Sequence, residues 1–389
     1  MPVAPDDGRD MAFARVARWL GRDTVSVPLS VFLGSRLALF VLASLFIGLI
    51  PIEPDKQPGF LGAFTRWDGG WYAKIARHGY EWAGPDHASS VEFFPLFPLL
   101  AKFLSIFVGG DVALSLFLIS NVAFLFYLVY LYRLAARDFD AEIAERTIVY
   151  VAIFALSVFF SAAYTESLML ALATASFFYA REGKWTRAIA LGGLTSAARL
   201  SGIAVALPLA WEWYRQKGID RHALVLLAVP SGLALYMAYL AVLTGDPVAF
   251  VHVERAWTRS FTWPWGTLRI AWQTITTLPR FRYVTAIAYV DAGCMVGFLF
   301  LLLAMIRSMP PAYWLYSAPV YFIATSTTIA PTAGLPSASI GRYLMAIFPG
   351  FIMMGVLGRS RLVHYLLLFV FAVLFGPLAL YFFAKVWVE

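Results

Sequence analysis

Nine stretches of this chain read as membrane-crossing helices, near residues 25–50, 113–132, 147–163, 166–181, 223–243, 284–306, 312–330, 342–357 and 362–385. Roughly 20 apolar residues span a bilayer as a helix. The chain is 61% hydrophobic and 14% charged over 389 residues, and its mean hydropathy is +0.73. A water-soluble fold of this length cannot hide so much apolar surface, whereas lipid can receive it. The abundance of Trp, Tyr and Phe fits the same solvent, since aromatic rings collect where membrane meets water. These features set an all-α, polytopic integral membrane fold, read as a single domain over 1–389.

The net charge of +7 does not point to nucleic acid. Basic residues stand in short clusters between apolar runs, the distribution of the positive-inside rule. The one cysteine, Cys294, lies inside an apolar run, so neither an internal disulfide nor a cysteine metal site is expected. The first 24 residues mix acids and bases without a cleavable-signal pattern. They are expected to be cytoplasmic, with the run after them as the first transmembrane helix.

The stretch 187–214 is apolar but interrupted by Gly192, Gly193, Arg199, Gly202 and Pro208. Basic clusters flank it on both sides: Arg181, Lys184 and Arg187 before, Arg215, Lys217 and Arg221 after. Both clusters belong in the cytoplasm. Two half-length passes meeting at Arg199 satisfy this, and a single crossing does not. The same parity places Arg9, Arg15, Arg18, Arg22, Arg307, Arg359 and Arg361 inside. About eleven membrane segments result, with Arg199 facing outward. The outer loops are then the longer ones. The first, 51–112, is long enough to be functional. A bacterial inner membrane with the active face outside is the expected location.

That first loop holds TRWDGGWYAKIARHGY over 65–80. Read as a helix from Thr65, it puts Trp67, Trp71 and Ile75 on one stripe, lying ring side down in the membrane interface. Asp68 then sits near headgroup level. It is either an acidic cap with capping-box spacing to Thr65 or a general base presented to a lipid-linked substrate. In SSVEFFPLFPLL, 89–100, Pro95 and Pro98 break any straight crossing. The segment is expected to dip into the membrane or lie along it. Glu92 is either a solvated loop acid or a second functional carboxylate.

Further polar residues fall at outer helix ends: Glu166 in Tyr164-Thr165-Glu166-Ser167, Arg199, then Asp246, Glu254 and Arg255 in GDPVAFVHVERAW, and Arg342 and Tyr343 in SIGRY. Ionisable groups at membrane depth are costly and therefore functional candidates. For each arginine the alternative is snorkelling or pairing with a nearby acid, strongest for Arg255 beside Glu254. Carboxylates and arginines converging at an apolar interface suit transfer of a sugar from a lipid phosphate. A base activates the acceptor hydroxyl, and a cation holds the departing phosphate.

The runs RWDGGWYAKIARHGY, EFFPLFPLL, AAYTESLMLAL, ARLSGIAVALPLAWE, GDPVAFVHVERAW and SIGRYLMAIFP occur in order. Together they resemble the PIG-V-type mannosyltransferases of the GT-C class of membrane glycosyltransferases. The resemblance covers about residues 65 to 350. It implies a many-helix fold with a large first extracytoplasmic loop bearing an essential Asp. It also implies a polyprenyl- or dolichyl-phosphate-mannose donor and inversion at the anomeric carbon. Trp67 and Asp68 match the Trp-Asp motif, and Arg342 and Tyr343 the late Arg-aromatic motif. Gly341 stands where family members often carry a polar residue. The GPI acceptor of eukaryotic members is not carried over.

The expected reading is an inverting glycosyltransferase with Asp68 as base and Arg342 and Arg199 on the phosphate. Trp67, Trp71 and Tyr72 shape the pocket, and Glu92, Glu166, Arg255 and Tyr343 contact substrate. The expected partners are a polyprenyl-phosphate-sugar donor, a lipid or glycan acceptor and membrane lipids, with no nucleic acid. No cofactor or metal is expected, because Arg can neutralise a lipid monophosphate and no HExxH pair occurs. A same-fold transferase of another polyprenyl-phosphate sugar is an alternative. So is a lipid or solute transporter, although no internal repeat is seen.

Overall fold

The computed structural model describes residues 22–49, 59–277, 283–329 and 339–385. Most of the N-terminal segment 1–24, the start of the first loop and most of the loop 331–341 lie outside the described residues. The first helix, α1 (Arg22–Leu49), is inside-out relative to a soluble helix. Arg36, Leu39, Ala43 and Phe46 are buried at helical spacing, while Leu29, Leu33, Leu37, Val41 and Leu45 are exposed on the other side. An exposed continuous apolar face of this kind belongs against lipid. After α1 come α2 (Phe60–Phe64), α3 (Asp68–His78), α4 (Leu96–Ser105), α5 (Val112–Asp138), α6 (Ala141–Ile153) and α7 (Glu166–Arg181). Next are α8 (Trp185–Ala198), α9 (Ala206–Lys217), α10 (Ser231–Thr244), α11 (Ala249–His252) and α12 (Pro264–Thr277). The last five are α13 (Tyr283–Ser308), α14 (Pro311–Thr325), α15 (Ile340–Leu344), α16 (Phe348–Leu357) and α17 (Arg361–Phe383). Two short strands, β1 (Arg259–Phe261) and β2 (Thr327–Ile329), pair antiparallel with Arg259 opposite Ile329.

Local chemistry sets several boundaries. Asp111 accepts from the Leu114 amide at 3.0 Å and starts α5; Asp140 accepts from the Ile143 amide at 2.8 Å and starts α6. Among the described residues, four helices are long and apolar enough to cross a membrane: α1 from Thr24, α5, α13 from Thr285, and α17. A fifth is possible if the bent pair 221–228 and 231–244 is one span, broken by 52°. The chain is an integral membrane protein. The expected count of about eleven membrane segments is not confirmed by helix length and composition among the described residues. The run 147–163 ends as helix at Ile153 and passes into a 3-10 turn, Ser157–Phe160. The run 342–357 is two short helices, and 312–330 ends in β2.

The break after α6 has a visible partner. Arg36 donates to the carbonyls of Ala152 (3.0 Å) and Ser157 (3.1 Å) and to the Ser157 and Ser161 hydroxyls (2.7 and 3.0 Å). Carbonyls freed where a helix stops inside the bundle need such a donor. The 187–214 stretch breaks at Arg199, whose backbone is extended (φ −165°, ψ 151°). The chain then returns. The Trp185 and Trp213 ring centroids are 4.7 Å apart, and Gln216 donates to the Ala180 carbonyl at 3.0 Å. The two flanking basic clusters therefore share one end of a hairpin, with Arg199 at the other. The basic end is tied by buried charges: Arg181 lies 2.9 Å from Asp138 and 3.1 Å from Glu212, and Tyr313 donates to Asp138 at 2.7 Å.

Candidate active site

The Arg199 end of the bundle gathers the polar residues. Asp68 opens α3 directly after Trp67, which holds a left-handed φ of 51° with ψ −119°. For a bulky residue that conformation costs about 1–3 kcal/mol and persists only when its surroundings impose it. The Gly70 amide donates to the Trp67 carbonyl at 2.9 Å within the turn. Thr65 does not form a capping box. Its hydroxyl donates to the Leu61 carbonyl at 2.8 Å, and no side chain caps α3. The Asp68 carboxylate instead accepts from Arg342 Nη1 at 2.8 Å, across 274 positions of sequence.

The expected interfacial stripe is corrected by the packing. Gly69, Tyr72, Ala73, Ile75 and Ala76 face the protein core, so the helix is held by protein rather than floated on lipid. The expected stripe started the helix at Thr65. A start at Asp68 leaves Trp67 in the turn and puts Ile75 on the buried side. Trp71 stacks on Phe93 (5.7 Å, 14° between planes) and meets the edge of Trp257 at 5.9 Å.

From Arg342 a line of charges continues inward. Arg342 Nε is 3.5 Å from Glu166 Oε1, and Arg199 Nη1 donates to that same oxygen at 2.5 Å. Both guanidinium carbons lie over the Tyr343 ring, at 4.8 Å for Arg199 and 4.9 Å for Arg342. Two carboxylates and two arginines alternate, and Glu166 is 1% exposed at the start of α7. A buried anion at a helix N-terminus is favoured by the peptide dipoles as well as by its two cations. Glu166 stands behind the arginines and fixes their spacing; it does not line the cleft.

Arg342 is placed by α15. Ser339 before it adopts φ 58°, and the Gly341 amide donates to the buried Asp291 carboxylate of α13 at 2.8 Å. A Cβ on Gly341 would stand 2.8 Å from Leu156 Cδ1 and 3.2 Å from Asp291 Oδ1. A side chain at this position would press on the Leu156 tip and on the Asp291 carboxylate of α13. Gly202 is likewise crowded beside Arg199, where a Cβ would be 2.2 Å from the Thr195 carbonyl oxygen.

Glu92 ends a 3-10 turn, Ser90–Glu92, held by Tyr236 and Tyr80, which donate to the carbonyls of Val91 (2.7 Å) and Phe93 (2.6 Å). Glu92 pairs with Arg259 at 2.7 Å, and Arg259 also reaches Glu254 at 3.4 Å. Burial pushes the Glu92 carboxyl up to about 8 despite Arg259. Arg259 was not singled out in the sequence; Arg255 was. Arg255 is exposed and absent from the cleft, because the 3-10 turn Val253–Trp257 sends it outward while β1 brings Arg259 in.

These groups border a cleft of about 1000 Å³ counting its open mouth, lined by Asp68, Tyr72, Glu92, Arg199, Arg342 and Tyr343 among others. A second cavity of about 940 Å³ lies on the other side of Asp68, against Arg66, Trp67, Trp71 and Trp257. Asp68, Glu92, Phe93 and Arg259 are common to both. Among the described residues no group of three or more His, Cys, Asp or Glu is close enough to hold a metal ion.

The arrangement of helices has a counterpart among solved structures. It is similar to the crystal structure of ArnT from Cupriavidus metallidurans bound to undecaprenyl phosphate: TM-score 0.52, 14% identity, 89% of this chain and 63% of that one. An apo oligosaccharyltransferase from Archaeoglobus fulgidus aligns with TM-score 0.46 and 13% identity over 90% of this chain and 56% of that one, too distant to argue from. The chain spans less than two thirds of either. The sequence profile of the family described as Mannosyltransferase (PIG-V) matches residues 53–211, which bears out the resemblance read from the motifs. No curated protein sequence matches significantly.

Proposed function

We propose that the chain is an inverting glycosyltransferase that moves a mannosyl group from a polyprenyl-phosphate carrier to a lipid-linked or glycan acceptor. The observation that carries this is the Asp68–Arg342 pair at the junction of two cavities. A transfer needs two substrates meeting at one base, and Asp68 is the wall between two spaces. Arg342 takes Asp68 Oδ2 and leaves Oδ1 for an acceptor hydroxyl. The acceptor oxygen bonds to C1 of the sugar as the C1–O bond to phosphate breaks. The hydroxyl proton goes to Asp68, and the bonding pair leaves with the phosphate.

Arg342, Arg199 and Arg259 supply the cations for the developing phosphate charge. Glu166 holds the first two apart, and Glu92 partners the third. Carboxylates at the reaction centre also stabilise an oxocarbenium-like transition state. Mannose and the polyprenyl carrier rest on the family match, and the carrier is supported by the undecaprenyl phosphate in the ArnT structure. The basic clusters at the far end of the bundle support an extracytoplasmic cleft under the positive-inside rule.

Membranes containing the protein, incubated with radiolabelled polyprenyl-phosphate-mannose and, separately, the glucose and arabinose carriers, test the reading. Label is expected to pass to an endogenous acceptor from the mannose carrier and to be lost with Asp68→Asn. Transfer from another carrier alone would replace the sugar, and transfer from none would remove the enzyme reading.

A further inference from the structure

A third cavity lies away from the cleft, between α5, α7 and α8, and takes no part in the reaction above. It encloses about 1520 Å³ counting its open side, and Leu118, Val122, Phe126, Leu172 and Leu191 make most of it apolar. Its far end changes character, to Tyr130, Tyr179 and Arg187. The two phenol oxygens are 3.0 Å apart. One hydroxyl must donate to the other, so the accepting phenol keeps a proton to give outward.

Three cations surround the pair. Arg133 lies 5.9 Å from the Tyr130 ring centroid; Lys184 and Arg187 lie 5.9 and 5.4 Å from that of Tyr179. The carboxylate beside them, Glu182, is 3.5 Å from Lys184 and is also bonded to Arg137 at 2.6 Å. The polar end is therefore net positive and offers hydroxyl and guanidinium donors. The apolar part from Leu118 to Tyr130 rises ~18 Å along α5, close to the ~15 Å of one leaflet's hydrocarbon.

We propose that this cavity is a binding site for a membrane phospholipid with an anionic headgroup. One acyl chain fills the apolar groove, and the phosphate sits at Tyr130, Tyr179 and Arg187. The polyprenyl-phosphate donor is the wrong occupant. Tyr179 stands thirteen positions along α7 from Glu166, ~20 Å of helix, so a carrier anchored there by its phosphate holds its sugar far from Asp68. An anionic headgroup is attracted by each nearby basic residue at a membrane surface, which a zwitterionic one forgoes.

The test uses the full-length protein in detergent with phosphatidylglycerol, phosphatidylcholine or undecaprenyl phosphate, followed by native mass spectrometry and thermal unfolding. One phosphatidylglycerol is expected to remain bound and raise the melting temperature, with phosphatidylcholine retained at least about tenfold less. Arg187→Glu removes the preference from the headgroup side. Ala190→Phe, at an exposed rim position of the groove, weakens retention from the chain side without touching the charges. Lipid-free melting at the wild-type temperature establishes that each variant is folded. Equal retention of the two phospholipids, unchanged preference in Arg187→Glu, or displacement of phosphatidylglycerol by undecaprenyl phosphate would each overturn the proposal.

Discussion

Gly341→Ala adds one methyl group where the backbone of α15 passes α13. That methyl would meet Leu156 Cδ1 at 2.8 Å, Asp291 Oδ1 at 3.2 Å and Cys294 Sγ at 3.4 Å. The leucine tip can yield, but Asp291 is bonded to the same residue's amide at 2.8 Å. Relief therefore lengthens that bond and shifts the first turn of α15, which carries Arg342. Overpacking of this kind costs about 1–3 kcal/mol. A displacement near 1 Å at a group that orients the base costs up to about a hundredfold in rate. The expected result is a modest fall in melting temperature with a fall in kcat of roughly ten- to a hundredfold and little change in donor KM. Leu156→Val removes the methyl at 2.8 Å and should restore part of the lost turnover in the double variant. Wild-type kcat in Gly341→Ala, or a double variant no better than the single, would refute the argument that this approach aims Arg342.

Two more substitutions probe the arginines. Arg342→Lys keeps the charge but replaces a planar fork with a point donor that cannot hold Asp68 and a phosphate oxygen together; steady-state kinetics should show a loss mainly in kcat, and near-wild-type turnover would make Arg342 a structural charge. Glu92→Gln tests the raised carboxyl. Below about pH 8 Glu92 is protonated and leaves Arg259 its full charge for phosphate, while above it the ionised pair competes. Wild-type kcat/KM should therefore fall as pH rises through about 8, and the glutamine variant should lack that limb; an unchanged profile would place the titrating group elsewhere.

Much of the cleft was legible because charged residues in apolar surroundings are rare enough to notice. Asp68, Glu166, Arg199 and Arg342 each interrupted an apolar context, and one parity argument put them at one end. The hairpin at Arg199 followed from the sign of its flanking charges. Arg259 was missed because its approach depends on β1 pairing with β2, and β2 lies 68 positions away in sequence; nothing local distinguishes it from Arg255. Asp291 and Arg36 were missed although each is an ionisable residue within an apolar run, the same signal that marked Arg199. The count of membrane segments was harder to read, for a physical reason. Apolar runs such as 147–163 and 342–357 break where Arg36 and Tyr316 take up carbonyls, those of Ala152 and Ser157 and that of Ala346, and hydropathy is blind to those partners.

The central claim is that Asp68 is the base that takes the acceptor proton at the meeting point of two substrates. Its most direct measurement is the single-turnover rate of mannose transfer by Asp68→Asn, alongside binding of the polyprenyl-phosphate-mannose donor to the same preparation. Asparagine keeps the size of the side chain and can still face Arg342, but cannot take a proton. The account predicts donor affinity within a few-fold of wild type and transfer reduced by at least about a hundredfold, the usual scale for removing a general base. Transfer at near-normal rate with intact donor binding would contradict it, leaving Asp68 as no more than a partner for Arg342.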